Sequence, residues 1–242
     1  METSIAYLEQ RERVETYFDR TAVQAWTRLT STAPVGRIRA TVRAGRDRMR
    51  ATLLGWLPND LRGARLLDAG CGTGALAVEA ARRGAHVIAV DLSPTLVRLA
   101  RERTPGDIGA GHVEFRVGDM AAAAAMGPFD HVVAMDSLIH YRLADAVRVL
   151  GALGAACDGT MAFTFAPRTP LLATMHAVGR WFPRGDRAPA IEPVAERALA
   201  QAIEREAGLA DWARARTQRV ASGFYQAQAL ELARKSDRRP RG

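Results

Sequence analysis

Residues 64–74 read ARLLDAGCGTG, and this stretch decides the fold. A short apolar run ends at Asp68, glycines follow at 70, 72 and 74, and ALAVEAARRG (75–84) then reads as a helix closed by Gly84. Alternate glycines let a backbone turn tightly and approach a ligand without interference from Cβ. Working outward, HVIAVD (86–91) predicts a second strand, with Ser93 capping the next helix and Pro94 in its first turn. HVEFRVGD (112–119) and FDHVVAMD (129–136) predict a third and a fourth strand. RLADAVRVLGALGAA (142–156) predicts a helix, and GTMAFTFAP (159–167) a fifth strand. Short apolar runs alternating with helices predict an α/β fold, a doubly wound and mostly parallel sheet.

The flanks read differently. Residues 5–29 predict an amphipathic helix whose stripe is Ile5, Leu8, Val14, Tyr17, Phe18 and Val23. The turn-rich STAPVG follows, then a basic helix from about Ile38 to Leu57, stopped by Pro58-Asn59-Asp60. Residues 168–207 read as a helical insertion interrupted by PRGDRAPAIEP, and Trp212 to Tyr225 carries enough β-formers for one or two further strands. The expected organisation is an N-terminal helical lid (1–57), a ligand-binding domain (58–235) whose insertion adds to the lid, and a basic tail (236–242).

Composition excludes some classes. At 242 residues the chain suits one domain. No run approaches the ~20 apolar residues of a spanning helix, and METSIAYLEQRERVE lacks the apolar core of a signal peptide, so a cytoplasmic location is expected. Two cysteines, Cys71 and Cys157, predict neither a disulfide framework nor a metal site. The net charge is +8 and Lys235 is the only lysine. Such a surface attracts nucleic acid, anionic lipid or an acidic small molecule, but the arginine bias of a GC-rich genome explains it equally well. Charge alone does not choose a partner.

GCGTGA also satisfies the loose dinucleotide pattern, so a nicotinamide or flavin enzyme has to be weighed. Asp68 separates the readings. A carboxylate beside this turn would repel a pyrophosphate, whereas S-adenosylmethionine has no phosphate and carries an ammonium and a sulfonium. Asp91, ending the second strand, suits the two hydroxyls of an adenosine ribose. Asp119 can accept from an adenine amino group while the Met120 thioether lies against the ring. The expected cofactor-binding set is Asp68, Gly70, Cys71, Gly72, Gly74, Asp91, Leu92, Asp119, Met120 and Asp136. Three acids at three successive strand ends resemble the class I methyltransferases. That likeness implies seven strands with an antiparallel one near the edge.

The fourth strand runs into Met135-Asp136-Ser137-Leu138-Ile139-His140-Tyr141. The Asn/Asp-Pro-Pro-aromatic motif typical of amino-methylating members is absent, which argues against nucleic acid as substrate, and a histidine beside a tyrosine suits an oxygen acceptor. DAGCGTG, MDSLIHY, FAPRTPLLATMHAVGRWFPRGDRAPAIEP and SGFYQAQALELAR, with VETYFDRTAVQAW and RIRATVRAGRDRM near the N-terminus, together resemble the magnesium-protoporphyrin IX O-methyltransferases of bacteriochlorophyll synthesis, from about Val14 to Arg234. The resemblance implies S-adenosylmethionine as cofactor and methyl transfer to one propionate of magnesium-protoporphyrin IX. It also implies His140 and Tyr17 as catalytic positions and the magnesium chelatase large subunit as partner. A buried core aromatic is an equal reading for Tyr17. Arg168, Arg180, Arg184 and Arg187 are candidates for the carboxylates, none singled out. The magnesium belongs to the substrate, so no protein metal site is expected, although an axial ligand from His140 or His176 stays open. A reversible contact with the photosynthetic membrane fits a lipophilic substrate and amphipathic helices. A quinone or phenol methyltransferase and a non-catalytic RNA-binding protein are the rival readings.

Overall fold

Neighbouring residues of a strand point to opposite faces of its sheet, so a run such as Leu66-Leu67 needs cover on both sides. The computed structural model, which describes residues 5–21, 36–168 and 191–235, supplies that cover. Strands β1 (Arg65–Ala69), β2 (His86–Asp91), β3 (His112–Val117), β4 (Phe129–Ala134), β5 (Cys157–Phe165), β6 (Trp212–Ser222) and β7 (Tyr225–Arg234) form one sheet in the order β3-β2-β1-β4-β5-β7-β6. The first five pair parallel, while β7 runs antiparallel to β5 and β6.

On one face Leu67, Ile88, Val132 and Phe163 pack with Leu150 and Leu153 of helix α5 (Leu143–Ala155) and with α6 (Glu196–Arg205). On the other, Leu66, Val87, Val133 and Ala162 pack with helices α2 (Arg37–Trp56), α3 (Ala75–Arg82) and α4 (Pro94–Arg103), through residues such as Met49, Leu53, Ala77 and Val97. Burial on both faces is why these strands read as unbroken apolar runs. The Ser93 hydroxyl accepts the Leu96 amide, and Pro94 opens α4, as expected.

The flanks are described in part. Helix α1 spans Ile5–Thr16 and passes into a π-helical turn at Tyr17–Thr21, and the remainder of the expected helix, to residue 29, lies outside the described residues. At the other end the expected strand region stopped at Tyr225, where the structure begins a second strand, and β6 and β7 form a hairpin. YQAQALELAR is rich in helix formers, and its place between β5 and β6 overrides that propensity. Of the insertion, α6 is described, and residues 169–190 lie outside the described residues. Among the described residues no helix is long and apolar enough to cross a membrane.

Candidate active site

From β1 the chain steps to β2 and β3 on one side, then returns to β4 and β5 on the other. The carboxyl ends of β1 and β4 therefore part at a topological switch point, where open α/β sheets bind ligands. A cavity of about 750 Å³ opens there. Gly70, at φ +87°, is required by the approach of the two strand ends: a Cβ on it would fall 2.3 Å from the Ser137 Cβ. The Ser137 hydroxyl donates to the Ala69 carbonyl at 2.8 Å, and the Gly70 amide to the Val90 carbonyl, also at 2.8 Å. The loop is thus tied to both neighbouring strands.

Asp68 and Asp91 form an acidic floor to this cavity. Asp68 is 1% exposed, and its Oδ2 has no hydrogen-bond donor among the described residues. Burial, then the neighbouring charge of Asp91, raises its carboxyl from 3.8 to about 7. Asp91 is raised by burial too, against the amides of Ser93 (3.0 Å) and Gly72 (2.8 Å), which stabilise its ionised form. A ligand bringing a cation to Asp68 and a diol to Asp91 supplies what these groups lack, so the residues fit the expected S-adenosylmethionine. Cys71 lines the same cavity, and burial with two acids nearby raises its thiol well above its ordinary value, holding it protonated.

The opposite wall begins at Asp136, a non-glycine residue in the left-handed region (φ 54°), where strain is stored at functional sites. Three elements hold it there. Thr164 of β5 accepts its amide at 2.7 Å, Tyr225 of β7 donates to its carboxylate at 2.9 Å, and Arg46 of α2 pairs with it at 2.5 Å. The next turn, Leu138–His140, buries His140 to 6% exposure on the cavity wall. Its main chain is pinned from two sides: Gln10 of α1 donates to the His140 carbonyl, and Glu192, where description of the insertion resumes, donates its amide to the Ile139 carbonyl, both at 2.8 Å.

The N-terminal segment crosses the cavity between these walls. Asp19 accepts from the Ser93 hydroxyl and the Thr95 amide at the start of α4, both at 3.1 Å. Val14, Glu15 and Phe18 line the cavity, with the Phe18 ring edge-on to His140 at 5.6 Å.

Most of the expected residues meet here: Asp68, Gly70, Cys71, Gly72, Asp91, Leu92, Met120, Asp136 and His140 all line one cavity. Three expected residues lie elsewhere. Asp119 is turned to α1, accepting from the Tyr7 hydroxyl at 2.9 Å and from Arg11 at 3.4 Å, and Tyr7 stacks on Tyr141. Asp119 is not among the lining residues, although its neighbours Gly118 and Met120 are. Gly74, at φ +79°, is absent from the lining because it packs on the core, where a Cβ would meet the Phe115 ring at 2.7 Å. Tyr17 is half-buried one ring behind the wall, edge-on to Phe18. Arg168 is exposed and away from the cavity, and Arg180, Arg184, Arg187 and His176 lie outside the described residues. Sequence reasoning missed Arg43, Arg46, Arg50 and Arg103, which all line the cavity. The i, i+3, i+7 spacing of the first three was the available signal.

Residues 134–234 match the family model described as magnesium-protoporphyrin IX methyltransferase C-terminus, and residues 66–157 match a general methyltransferase domain. The chain is 50% identical to the magnesium-protoporphyrin O-methyltransferase of Rhodobacter capsulatus over 226 residues, 93% of this chain and 97% of that one. It is 28% identical to the chloroplastic magnesium protoporphyrin IX methyltransferase of Arabidopsis thaliana, over 91% of this chain and 70% of that one. A crystal structure of the Synechocystis magnesium protoporphyrin IX methyltransferase with bound S-adenosylhomocysteine superposes with a TM-score of 0.79 at 27% identity, covering 91% of this chain and 98% of that one.

Proposed function

The chain belongs to the magnesium-protoporphyrin O-methyltransferase family, and from that premise we propose how its cavity works. It transfers a methyl group from S-adenosylmethionine to a propionate carboxylate of magnesium-protoporphyrin IX, giving the monomethyl ester. The observation that carries this reading is one cavity, in a chain of this family, lined both by the acids Asp68 and Asp91 and by buried His140.

Bound S-adenosylmethionine supplies the electrophilic methyl carbon. Asp68 holds its ammonium and Asp91 its ribose hydroxyls, with Leu92 and Met120 beside the adenosine. A propionate has a reference pKa near that of glutamate, ~4.3, and arrives ionised at neutral pH, so the chain needs no strong base. His140 hydrogen-bonds the acceptor carboxylate and orients it. Tyr17, one ring behind the wall, hydrogen-bonds the same carboxylate through its hydroxyl once the acceptor is bound. Carboxylate and sulfonium neutralise each other as the bond forms, so excluding water and aligning the pair contribute most of the acceleration.

Residues 1–57 and the insertion 168–207 act as the lid of domain 58–235. The reading is supported by Val14, Phe18, Arg43 and Arg46 in the cavity wall and by Glu192 against the His140 turn. Exposed Ile5, Leu8, Ile38 and Phe224 suit reversible contact with a membrane surface, and the magnesium chelatase large subunit is the proposed donor of substrate.

The test is incubation of the purified protein with magnesium-protoporphyrin IX and labelled S-adenosylmethionine, followed by identification of the ester. Label in a porphyrin monomethyl ester is expected. Label confined to an added quinone or phenol overturns the assignment.

A further inference from the structure

A cofactor that brings its ammonium to Asp68 and its ribose diol to Asp91 leaves unexplained why the rest of the cavity is rich in arginine. Arg43, Arg46 and Arg50 form one row along the cavity side of α2, and Arg103, at the last turn of α4, lines the same space. Besides Asp68 and Asp91, the acids lining the cavity are Glu15, Asp47 and Asp136.

The row is held in register. Arg46 is anchored by Asp136, whose side chain is 5% exposed, and Tyr225 bonds the same carboxylate. Gly45 lets α2 lie directly on that tyrosine, since a Cβ there would fall 2.6 Å from its ring. The helix therefore cannot slide, and Arg43 and Arg50 stand a turn to either side of a fixed point. Arg50 pairs with Asp47 of its own helix at 2.8 Å, with the two side chains 31% and 51% exposed. A solvated pair of that kind is weak and readily gives way to a carboxylate held by two parallel N–H bonds.

Resting on the acceptor assigned above, we propose that this arginine row seats the second propionate, the one that is not methylated, and thereby stops the enzyme at the monoester. In the first turnover one carboxylate lies at the methyl group and the other on the row. The reacting carboxylate oxygen forms its bond to the methyl carbon as the carbon–sulfur bond breaks and its electron pair passes to sulfur. The product then carries one ester and one carboxylate. To react again it must turn over, bringing the remaining carboxylate to the methyl position and a neutral ester to the arginines. Losing the charge-assisted hydrogen bonds in that orientation costs about 10- to 150-fold in productive binding.

The test uses the full chain and two acceptors, magnesium-protoporphyrin IX and its monomethyl ester, with Arg43→Gln, Arg50→Gln and the double variant. Arg46 stays intact because it holds Asp136. Wild type is expected to favour the diacid at least tenfold in kcat/KM. In the variants KM for the diacid should rise tenfold or more, with kcat changed less and the preference over the monoester falling toward one. Calorimetry should show an unchanged Kd for S-adenosylmethionine, and thermal melts should show an intact fold. An unmoved KM and an unmoved preference in the folded double variant overturn the proposal. So does a matching loss of cofactor affinity, which would give the row to the methionine carboxylate instead. Wild type that esterifies neither acceptor defeats the functional reading itself, an outcome distinct from active wild type with unmoved variants.

Discussion

Asp68 makes cofactor affinity depend on pH near neutrality. Its carboxyl is raised to about 7, by burial first and by Asp91 second, and only its ionised form attracts an ammonium. With that midpoint the ionised fraction climbs from roughly a tenth at pH 6 to about nine-tenths at pH 8, so affinity should rise about tenfold across the window. Binding near the midpoint should also release a proton. Calorimetric titration with S-adenosylmethionine at pH 6, 7 and 8, in two buffers of different ionisation enthalpy, measures both. Asp68→Asn should abolish the pH response and weaken binding at pH 8 by about 1.5–3 kcal/mol. The same substitution should stabilise the ligand-free protein. A carboxyl raised on folding leaves the native state binding more protons than the unfolded one between about pH 4 and 7, so its contribution to stability is present below that window and lost as pH rises through it. Asparagine escapes that loss of a few kcal/mol, so its melting temperature should exceed that of wild type at pH 8, the gap closing as pH falls toward 4. A Kd constant from pH 6 to 8, or an equal pH response in Asp68→Asn, would refute the reasoning.

Asp91→Ala should weaken S-adenosylmethionine binding by roughly 1.5–3 kcal/mol, and unchanged calorimetric affinity in a folded variant removes Asp91 from the site. His140→Ala and Tyr17→Phe should lower turnover much more than cofactor affinity, because groups acting on the acceptor are felt mainly in the transition state. A kinetically silent Tyr17→Phe makes that residue a core aromatic, in keeping with its position behind Phe18. At saturating cofactor, turnover should vary little between pH 7 and 9, since a carboxylate acceptor is already ionised. A climb of about tenfold per pH unit would mean that acceptor deprotonation limits the reaction.

What was legible in the sequence is what repeats locally. The parallel core, the Ser93 cap and the acids closing β1 and β2 follow from periodicity, capping chemistry and position at strand ends. Contacts across the chain were not legible. Asp119 closes β3 as the pattern expects, but Tyr7 and Arg11 arrive from more than a hundred residues away and take its carboxylate. Likewise nothing local to Arg46 reveals that it meets Asp136, and in the sequence it is one of many arginines on a basic helix. The strand Tyr225–Arg234 was missed for a related reason: its residues favour a helix in isolation, and only two neighbouring strands make it extended.

That strand carries a consequence for biosynthesis. Among the described residues β7 is the last regular element to leave the ribosome, yet it lies inside the sheet, between β5 and β6. Until it emerges, β6 has no neighbour in the sheet, β5 presents an open edge, and Asp136 lacks Tyr225. The glycine loop and its two acids, all encoded before residue 92, can form much earlier. A nascent chain therefore acquires the means to hold its cofactor well before it can hold its acceptor. A chain cut short before Tyr225 is left with an exposed sheet edge of the kind that promotes aggregation.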